Sequence, residues 1–563
     1  MSSSSSASSS QVIDSMNSKW KTRKSFVSNA TEEYDITDDD ETLRESTVIT
    51  QQQQTNTKIV VATDVEINDY SSPNTQILQG KLKVNSTIEK QSLHKVTSHA
   101  QLVNRFRYTT NGDFRSRFSD VRYQETKSIL DSDIARNSPF WGFYTPFWLA
   151  IAIMMANICT EAIREKGLLH SIGTSRIIQI FFQDVIWIGL CDFIMYLSLY
   201  GSFFIQWLCK KEYMLWETTG FVLQCAYEVG FFFGVMWWLE LSNYQWIGKV
   251  FLVLHSLVLL MKMHSFAFYN GYLWRIKHEL AFSESYLKKH DKVDDKTTAI
   301  LQKSIDFCKF EIDNTSKHNP QIQFPNNLTL SNFFWYTMFP TVVYEVEYPR
   351  TTKIDFGYLA EKIVGVFGII AVMIVVAQER AYPLAMRAIH MKSLPFQEKL
   401  REYPFLLLEM LPPFFLLYIL VFLLIWDQIL NAIAELTKFA DRDFYGPWWN
   451  CITFDEFARL WNVPVHKFLL RHVYHSSISA FQISKTSATL VTFLLSSVFH
   501  EVVMYVLFGR LRCYLFLIQM YQIPLIAISR TKFMRGRSVL GNIIFWIGVA
   551  SGAAIVSSLY LVF

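Results

Sequence analysis

The stretch Trp141-Gly-Phe-Tyr-Thr-Pro-Phe-Trp-Leu-Ala-Ile-Ala-Ile-Met-Met-Ala-Asn-Ile-Cys-Thr160 runs for 20 residues without a charged side chain. About 20 apolar residues in helical form cross the hydrocarbon core of a bilayer, since each adds about 1.5 Å along the helix axis. Comparable apolar blocks recur near 183–208, 219–240, 250–272, 362–378, 411–431, 486–508, 511–529 and 541–563, the last wholly uncharged. The chain therefore reads as an all-α polytopic membrane protein with about nine transmembrane helices. Composition agrees, because 51% apolar and 18% charged among 563 residues argues against an ordinary soluble enzyme.

A formal charge of +4 is too mild to imply a nucleic-acid partner. The basic stretches Lys210-Lys211, Arg275 to Lys292 and Arg530 to Arg537 follow spans two, four and eight. Under the positive-inside rule they face the cytosol, which sends the N-terminus to the cytosol and the C-terminus to the lumen. Arg380, Arg387, Lys392, Lys399 and Arg401 fall on the opposite side in this scheme, so that block is either membrane-associated helix or marks a misassigned span. Residues 1–135 contain eight Ser in their first ten positions, the acidic run Asp38 to Glu41 and Gln51 to Gln54. Such a composition buries too little apolar surface to offset chain entropy, and a disordered cytosolic tail is expected. Without an N-terminal apolar core, no cleaved signal peptide is expected either. The remaining 136–563 reads as one multi-span domain, with long cytosolic loops at about 273–360 and 432–485. The seven cysteines are scattered, without a metal-ligand or redox spacing, and read as structural thiols.

An ionisable side chain deep in a span is costly and points to function. His500 is the clearest case, set in the block 486–508 and followed directly by Glu501. At helical spacing Ser496 and Ser497 share its face. A neutral imidazole in apolar surroundings suits removal of a proton from a hydroxyl; the alternative is a histidine merely hydrogen-bonded to a neighbouring helix. Just upstream lie Phe444-Tyr-Gly-Pro-Trp-Trp-Asn450 and Arg459-Leu-Trp-Asn-Val-Pro-Val-His466. Trp448 and Trp449 by themselves suit an interfacial anchor. Asn462 and His466 are four apart, but Pro464 between them leaves their relative direction open. Cys451 is a possible nucleophile, or a packing thiol. His290 and Asp295 fit an HxxxxD spacing used by another acyltransferase class, in a charged run that reads as solvated.

These residues carry a resemblance. FYGPWWN at 444–450 resembles the FYxDWWN signature of membrane-bound O-acyltransferases of the sterol and diacylglycerol acyltransferase branch. RLWNVPVH at 459–466 and SSVFHE at 496–501 resemble that family's Trp-Asn and histidine motifs. Met261-Lys-Met-His-Ser-Phe266, Pro340-Thr-Val-Val-Tyr344 and Tyr348-Pro-Arg-Thr351 look like its MKxHSF, PTLxY and YPRT segments, in the same order. The resemblance runs from about 140 to the C-terminus and does not reach the tail. It implies a roughly nine-span fold around an intramembrane reaction chamber, with a cytosolic tunnel for acyl-CoA and a lateral route for the lipid acceptor. It implies that His500 is the base and Asn462 its catalytic partner. Trp461, His466, Ser496, Tyr445, Trp448, Trp449 and Asn450 would bind substrate or shape the site, and Arg459, Lys485 and Tyr474 would contact the phosphates or pantetheine of acyl-CoA. Arg471 and Lys467 are further candidates for those phosphates. The spellings look most like the sterol branch, and within it the fungal members. The implied reaction moves a long-chain acyl group from acyl-CoA to the 3-hydroxyl of a sterol, ergosterol or a precursor, giving steryl ester for storage.

One position departs from the family pattern. Residue 447 is Pro where the signature has Asp, so neither a carboxylate nor a backbone N–H is present there. Retained activity is expected, and Asp443 replaces the missing carboxylate only if the loop is rearranged. Two rival functions remain at this stage: a diacylglycerol acyltransferase, since WNVPVHKFLLRH also resembles that branch, and a proton-coupled transporter, since Lys262 and Asp192 lie in spans. No bound cofactor and no metal are expected, with acyl-CoA as co-substrate. The expected partners are acyl-CoA, sterol, membrane lipids and a second copy of the chain or a higher homo-oligomer, in the endoplasmic reticulum membrane.

Overall fold

The computed structural model describes residues 107, 113–138, 141–167, 176–290, 293–316 and 319–563. Among them eight helices are long and apolar enough to cross a membrane. They are α1 (Tyr144–Lys166), α2 (Arg176–Lys210), α3 (Trp216–Leu241), α4 (Trp246–Lys289), α7 (Phe356–Met391), α8 (Phe396–Thr437), α11 (Lys485–Phe508) and α13 (Ser538–Val562). The helix α12 (Tyr514–Ser529) is apolar but shorter, at 16 residues, and takes the place of the remaining block seen in the sequence. Between the spans lie α5 (Asp295–Asp313), α6 (Leu330–Met338), α9 (Phe454–Leu460) and α10 (Val463–Phe468). The described residues hold no strands, only the isolated bridges Thr126 to Asp441 and Arg350 to Phe439.

The core is built around α4. Half of its most apolar window is buried, against 11–22% in the other spans. It packs along α2, α3, α5 and α11. At 44 residues it is about 66 Å long, roughly twice the hydrocarbon core. The expected loop at 273–360 therefore begins as a continuation of span four. It then folds back through α5, whose N-cap Asp294 accepts the Thr297 N–H at 3.0 Å, and α6, capped likewise by Thr329.

The basic block at 380–401 is helical. Residues 356–391 and 396–437 form two long rods joined by a short turn, and Arg380 pairs with Glu161 at 2.9 Å while Arg387 pairs with Glu409. The block therefore forms the adjoining ends of two candidate spans. Further along α8 the helix widens at Leu423–Ile429, turning Asp427 and Gln428 into the interior. There Asp427 meets Lys362 of α7 at 3.4 Å, and Lys362 also reaches Asp131 at 3.2 Å.

The sequence boundary at 135 falls inside the packed body. Phe118 stacks on Tyr269 of α4 at 4.2 Å, Val121 is buried, and the Tyr123 hydroxyl bonds that of Thr341 at 2.8 Å. The Thr126 N–H donates to Ala440 at 3.0 Å, and Arg442 N–H returns to Thr126 at 3.1 Å. A few aromatic side chains in a polar stretch suffice for this anchoring, and average composition hides them. The rest of the expected tail, residues 1–106 and 108–112, lies outside the described residues.

Candidate active site

The motifs found in the sequence are braces between segments distant in the chain. Lys262 of α4 is buried and donates to the carbonyls of Tyr336 (3.1 Å) and Phe339 (2.8 Å). Ser265, one turn on, accepts the Tyr344 N–H at 2.8 Å; its own hydroxyl hydrogen is then free to bond Nε2 of His472, also 2.8 Å away. MKMHSF and PTVVY are thereby joined, and the 469–474 turn with them. YPRT is sewn on next, as Ala440 N–H donates to the Pro349 carbonyl and Thr351 N–H to that of Lys438. Apart from the Ser265–His472 contact, each bond satisfies a backbone group in a buried or half-buried segment.

Two backbone bonds tie the signature to the Trp-Asn motif. Gly446 N–H donates to Leu460 at 2.8 Å, and Val463 N–H donates to Phe444 at 3.1 Å. Proline at 447 interrupts neither, because its carbonyl is what that segment uses, accepting the Asn450 N–H at 3.0 Å. Above this brace sits an aromatic cluster. Trp461 stacks on Tyr418 (4.9 Å) and contacts Phe422 (4.6 Å), Trp448 (4.8 Å) and Phe457 (5.2 Å). The Tyr445 hydroxyl donates to Asp427 at 2.7 Å, fastening the signature to α8. Trp449 offers its carbonyl to the indole N–H of Trp546 at 3.1 Å. Tyr445, Trp448, Trp449 and Trp461 are thus packed into one aromatic cluster, whereas Asn450 is exposed.

Asn462 caps α10. Its Oδ1 accepts the Val465 N–H at 3.2 Å, which fixes the amide orientation and leaves Nδ2 a donor without a partner among the described residues. His466, one turn further, is half-buried, and desolvation together with Arg459 and Lys467 pushes its imidazole down to about 4. It is therefore neutral at any physiological pH. Pro464 occupies the first turn of α10, where its missing N–H costs nothing, so it starts the helix and does not break it.

His500 lies on α11. Its Nδ1 is 2.8 Å from the Ser496 carbonyl, an atom that only accepts, so Nδ1 is the donor there and Nε2 has no partner among the described residues. Its face is the inward one. Ser496, Ser497, Val503 and Met504, three and four residues away, are buried or half-buried, while Leu490, Val491, Leu494, Leu495 and Val498 on the other side are exposed. Yet the ring itself is exposed. α11 packs against α4, α3, α12 and the 469–474 turn that follows α10, with Phe499 on Phe232 of α3 at 5.8 Å. No hydrogen bond joins His500 to Asn462 among the described residues.

The expected phosphate contacts differ in their freedom. Lys485 is exposed at the first turn of α11. Arg459 is exposed and paired with Asp455 at 3.1 Å. Tyr474 is half-buried and lies edge-on to His475 at 5.2 Å. Lys467 is held by Asp441 and Asp443, at 3.5 and 3.7 Å. Arg471 is a correction: it is buried on Asp120, Glu345 and the carbonyls of Phe118, Val121 and Tyr344, so every face of its guanidinium is taken by the protein. Cys451 is buried, and desolvation pushes its thiol up to about 12, which removes the thiolate a nucleophile needs.

Sequence reading passed over Asp427 and Glu501 as partners, although the rule that picked out His500 applies to both. It also missed Tyr418, Phe422 and Trp426, whose spacing of four along α8 makes the stripe under Trp461. In the sequence they read only as span.

The family model described as "MBOAT, membrane-bound O-acyltransferase family" matches residues 176–562. "Sterol O-acyltransferase 2" of Candida albicans is 47% identical over 489 residues, covering 80% of this chain and 80% of that protein. "Sterol O-acyltransferase 2" of Saccharomyces cerevisiae is 48% identical over 445 residues, 78% of this chain and 69% of its own. "Diacylglycerol O-acyltransferase 1" of Dictyostelium discoideum is 34% identical over 257 residues, 45% of this chain and 39% of its own.

Proposed function

The chain belongs to the membrane-bound O-acyltransferase family, and we propose that it esterifies a sterol with the acyl group of acyl-CoA, using His500 as base and Asn462 as oxyanion donor. The observation that carries this is the His500 ring, accessible on the packed face of a span with Nδ1 occupied and Nε2 open. Nε2 takes the proton of the sterol 3-hydroxyl as the oxygen attacks the thioester carbon. The Asn462 Nδ2 amide stabilises the oxygen of the tetrahedral intermediate. Collapse breaks the C–S bond, the imidazolium returns its proton to the departing thiolate, and steryl ester and free CoA leave. A thioester is activated already, and the Cys451 thiol is unsuited to attack, so acyl transfer is direct.

Acceptor class follows the relatives. The sterol O-acyltransferases match over most of this chain, whereas the diacylglycerol O-acyltransferase matches under half of it. Residence in the endoplasmic reticulum, a cytosolic N-terminus, a lumenal C-terminus and homo-oligomerisation belong to the same proposal, as does acyl-CoA contact by Arg459, Lys485 and Tyr474. Microsomes containing the chain, given labelled oleoyl-CoA with ergosterol or diacylglycerol, test it. Labelled steryl ester is the expected product, and His500→Ala lowers its formation by roughly 10²–10⁴-fold while Cys451→Ala does not. Triacylglycerol as sole product, or an active His500→Ala protein, overturns the reading.

A further inference from the structure

The loop Arg530-Thr-Lys-Phe-Met-Arg-Gly-Arg537 connects α12 to α13 and holds four cations and no anion. No Asp or Glu follows Glu501 in the sequence. A topology signal asks only for positive charge beside a span, and a floppy loop satisfies it. This loop is built more tightly than that. At its start, Arg530 lies 3.7 Å from the Asp455 carboxylate that Arg459 also holds at 3.1 Å. Beyond its end, Asn542 donates to the Cys451 carbonyl at 2.9 Å. Gly541 packs so close that a Cβ would stand 2.8 Å from the Ile452 carbonyl. Both ends are therefore fastened to residues 449–455, the segment between the signature and Asn462.

The turn between those anchors is fixed as well. Met534 and Arg535 donate their N–H groups to Thr531 at 3.1 Å, and Arg537 donates to Met534 at 3.1 Å. Gly536 takes φ +82°, which only glycine adopts without strain. Arg537 lies over the Phe533 ring at 4.1 Å. Lys532 and Arg535 are exposed and make no ion pair among the described residues. Arg459, Arg530, Lys532, Arg535 and Arg537 against Asp455 and Glu456 leave five minus two, a local charge of +3. The two exposed cations thus ride on an ordered turn whose flanks are fastened to residues 449–455.

We propose that this loop is the arm that grips the phosphates of acyl-CoA, with Lys532 and Arg535 binding the diphosphate and 3′-phosphate while the thioester passes Arg459 toward Asn462. The inference rests on the acyl-CoA reading above and adds a second phosphate-binding element to it. Clustered cations on an ordered turn favour a multiply charged ligand, and Arg and Lys divide the work as fork and point charge.

The test uses full-length protein in phosphatidylcholine nanodiscs and the double variant Lys532→Ala/Arg535→Ala, which spares the anchors. KM for oleoyl-CoA is expected to rise about tenfold, a loss of about 1.4 kcal/mol, with turnover at saturation changed less than about twofold. S-oleoyl-pantetheine, which carries no phosphate, is expected to give both proteins the same KM. Raising salt should weaken the wild-type protein's preference for oleoyl-CoA over that thioester. An unchanged KM for oleoyl-CoA overturns the proposal, and so does an equal rise on the pantetheine thioester. Activity that follows added phosphatidylserine in the wild type but not in the variant assigns the loop to lipid headgroups and also overturns it. If the wild type forms no ester, the functional reading fails instead; equilibrium binding of labelled oleoyl-CoA to both proteins still decides the role of the loop.

Discussion

Both carboxylate oxygens of Glu501 hold the Tyr560 hydroxyl, at 2.8 and 2.7 Å, across 59 residues of chain. The same carboxylate accepts the N–H groups of Arg512, Cys513 and Phe516, donors at the start of α12 that would otherwise lack partners. Glu501→Ala is expected to cost about 2–4 kcal/mol, because the buried Tyr560 hydroxyl and three part-buried N–H groups lose their acceptor at once. Tyr560→Phe should cost about 1–2 kcal/mol. Thermal unfolding of the detergent-solubilised variants, followed by tryptophan fluorescence, checks the order. A Glu501→Ala protein as stable as the wild type contradicts it.

Ser265→Ala should destabilise by about 1–3 kcal/mol, since it strands the buried Tyr344 N–H and leaves Nε2 of His472 without its partner. Ser551→Ala is the control. Its hydroxyl bonds only the Ile547 carbonyl of its own helix, and the expected change is within about 0.5 kcal/mol. Equal melting temperatures for the two would show that the brace between the MKMHSF and PTVVY segments carries no weight.

Arg471→Lys is expected to prevent accumulation of folded protein. A lysine keeps the charge but not the fork that spans Asp120, Glu345 and three carbonyls, and breaking a buried pair costs about 3–5 kcal/mol. Size-exclusion profiles of a fluorescent fusion report this directly. A monodisperse, active Arg471→Lys protein would return this residue to the list of free cations.

Pro447→Asp should leave activity within about threefold and lower stability by about 0.4–1 kcal/mol, as proline restricts the unfolded chain. The backbone there, φ −75° and ψ 58°, is open to either residue, and the neighbouring bonds are made by Gly446 and Leu460. A tenfold change in turnover in either direction would mean that the side chain at 447 takes part in the reaction.

Burial pushes the Glu311 carboxyl up to about 7, while one of its oxygens accepts the Arg117 N–H at 3.1 Å. A folded-state value above the unfolded one means that the folded protein binds the extra proton. The contribution is therefore full below about 4.5 and falls away as pH rises through 7. Hydrogen exchange of residues 113–123 is expected to quicken between pH 6 and 8 beyond the intrinsic rate, and Glu311→Gln should flatten that excess. The same excess in the Gln variant would refute the assignment.

Spans were legible because a bilayer imposes length and hydrophobicity, and the blocks at 219–240 and 486–508 lie within residues of α3 and α11. The position of His500 within the 485–508 helix was legible for the same reason. The extent of α4 was not, since residues past 272 become polar while tertiary contacts with α5 keep them helical. Nor was the fate of Arg471, whose partners come from residues 118–121 and 344–345, far away in the chain. Charge alone suggested a phosphate site there; only the fold reveals that the charge is already neutralised.

The Glu501 clasp also sets a timetable for biosynthesis. At about 5–20 residues per second, Glu501 is polymerised roughly 3–12 s before Tyr560. Until Tyr560 is made, the acidic side chain is carried in the nascent chain without its main partner. An insertase or another sheltering factor that retains the half-built bundle has its strongest reason to act then, and a ribosome stalled in α13 would leave an intermediate marked for disposal by that one bare carboxylate.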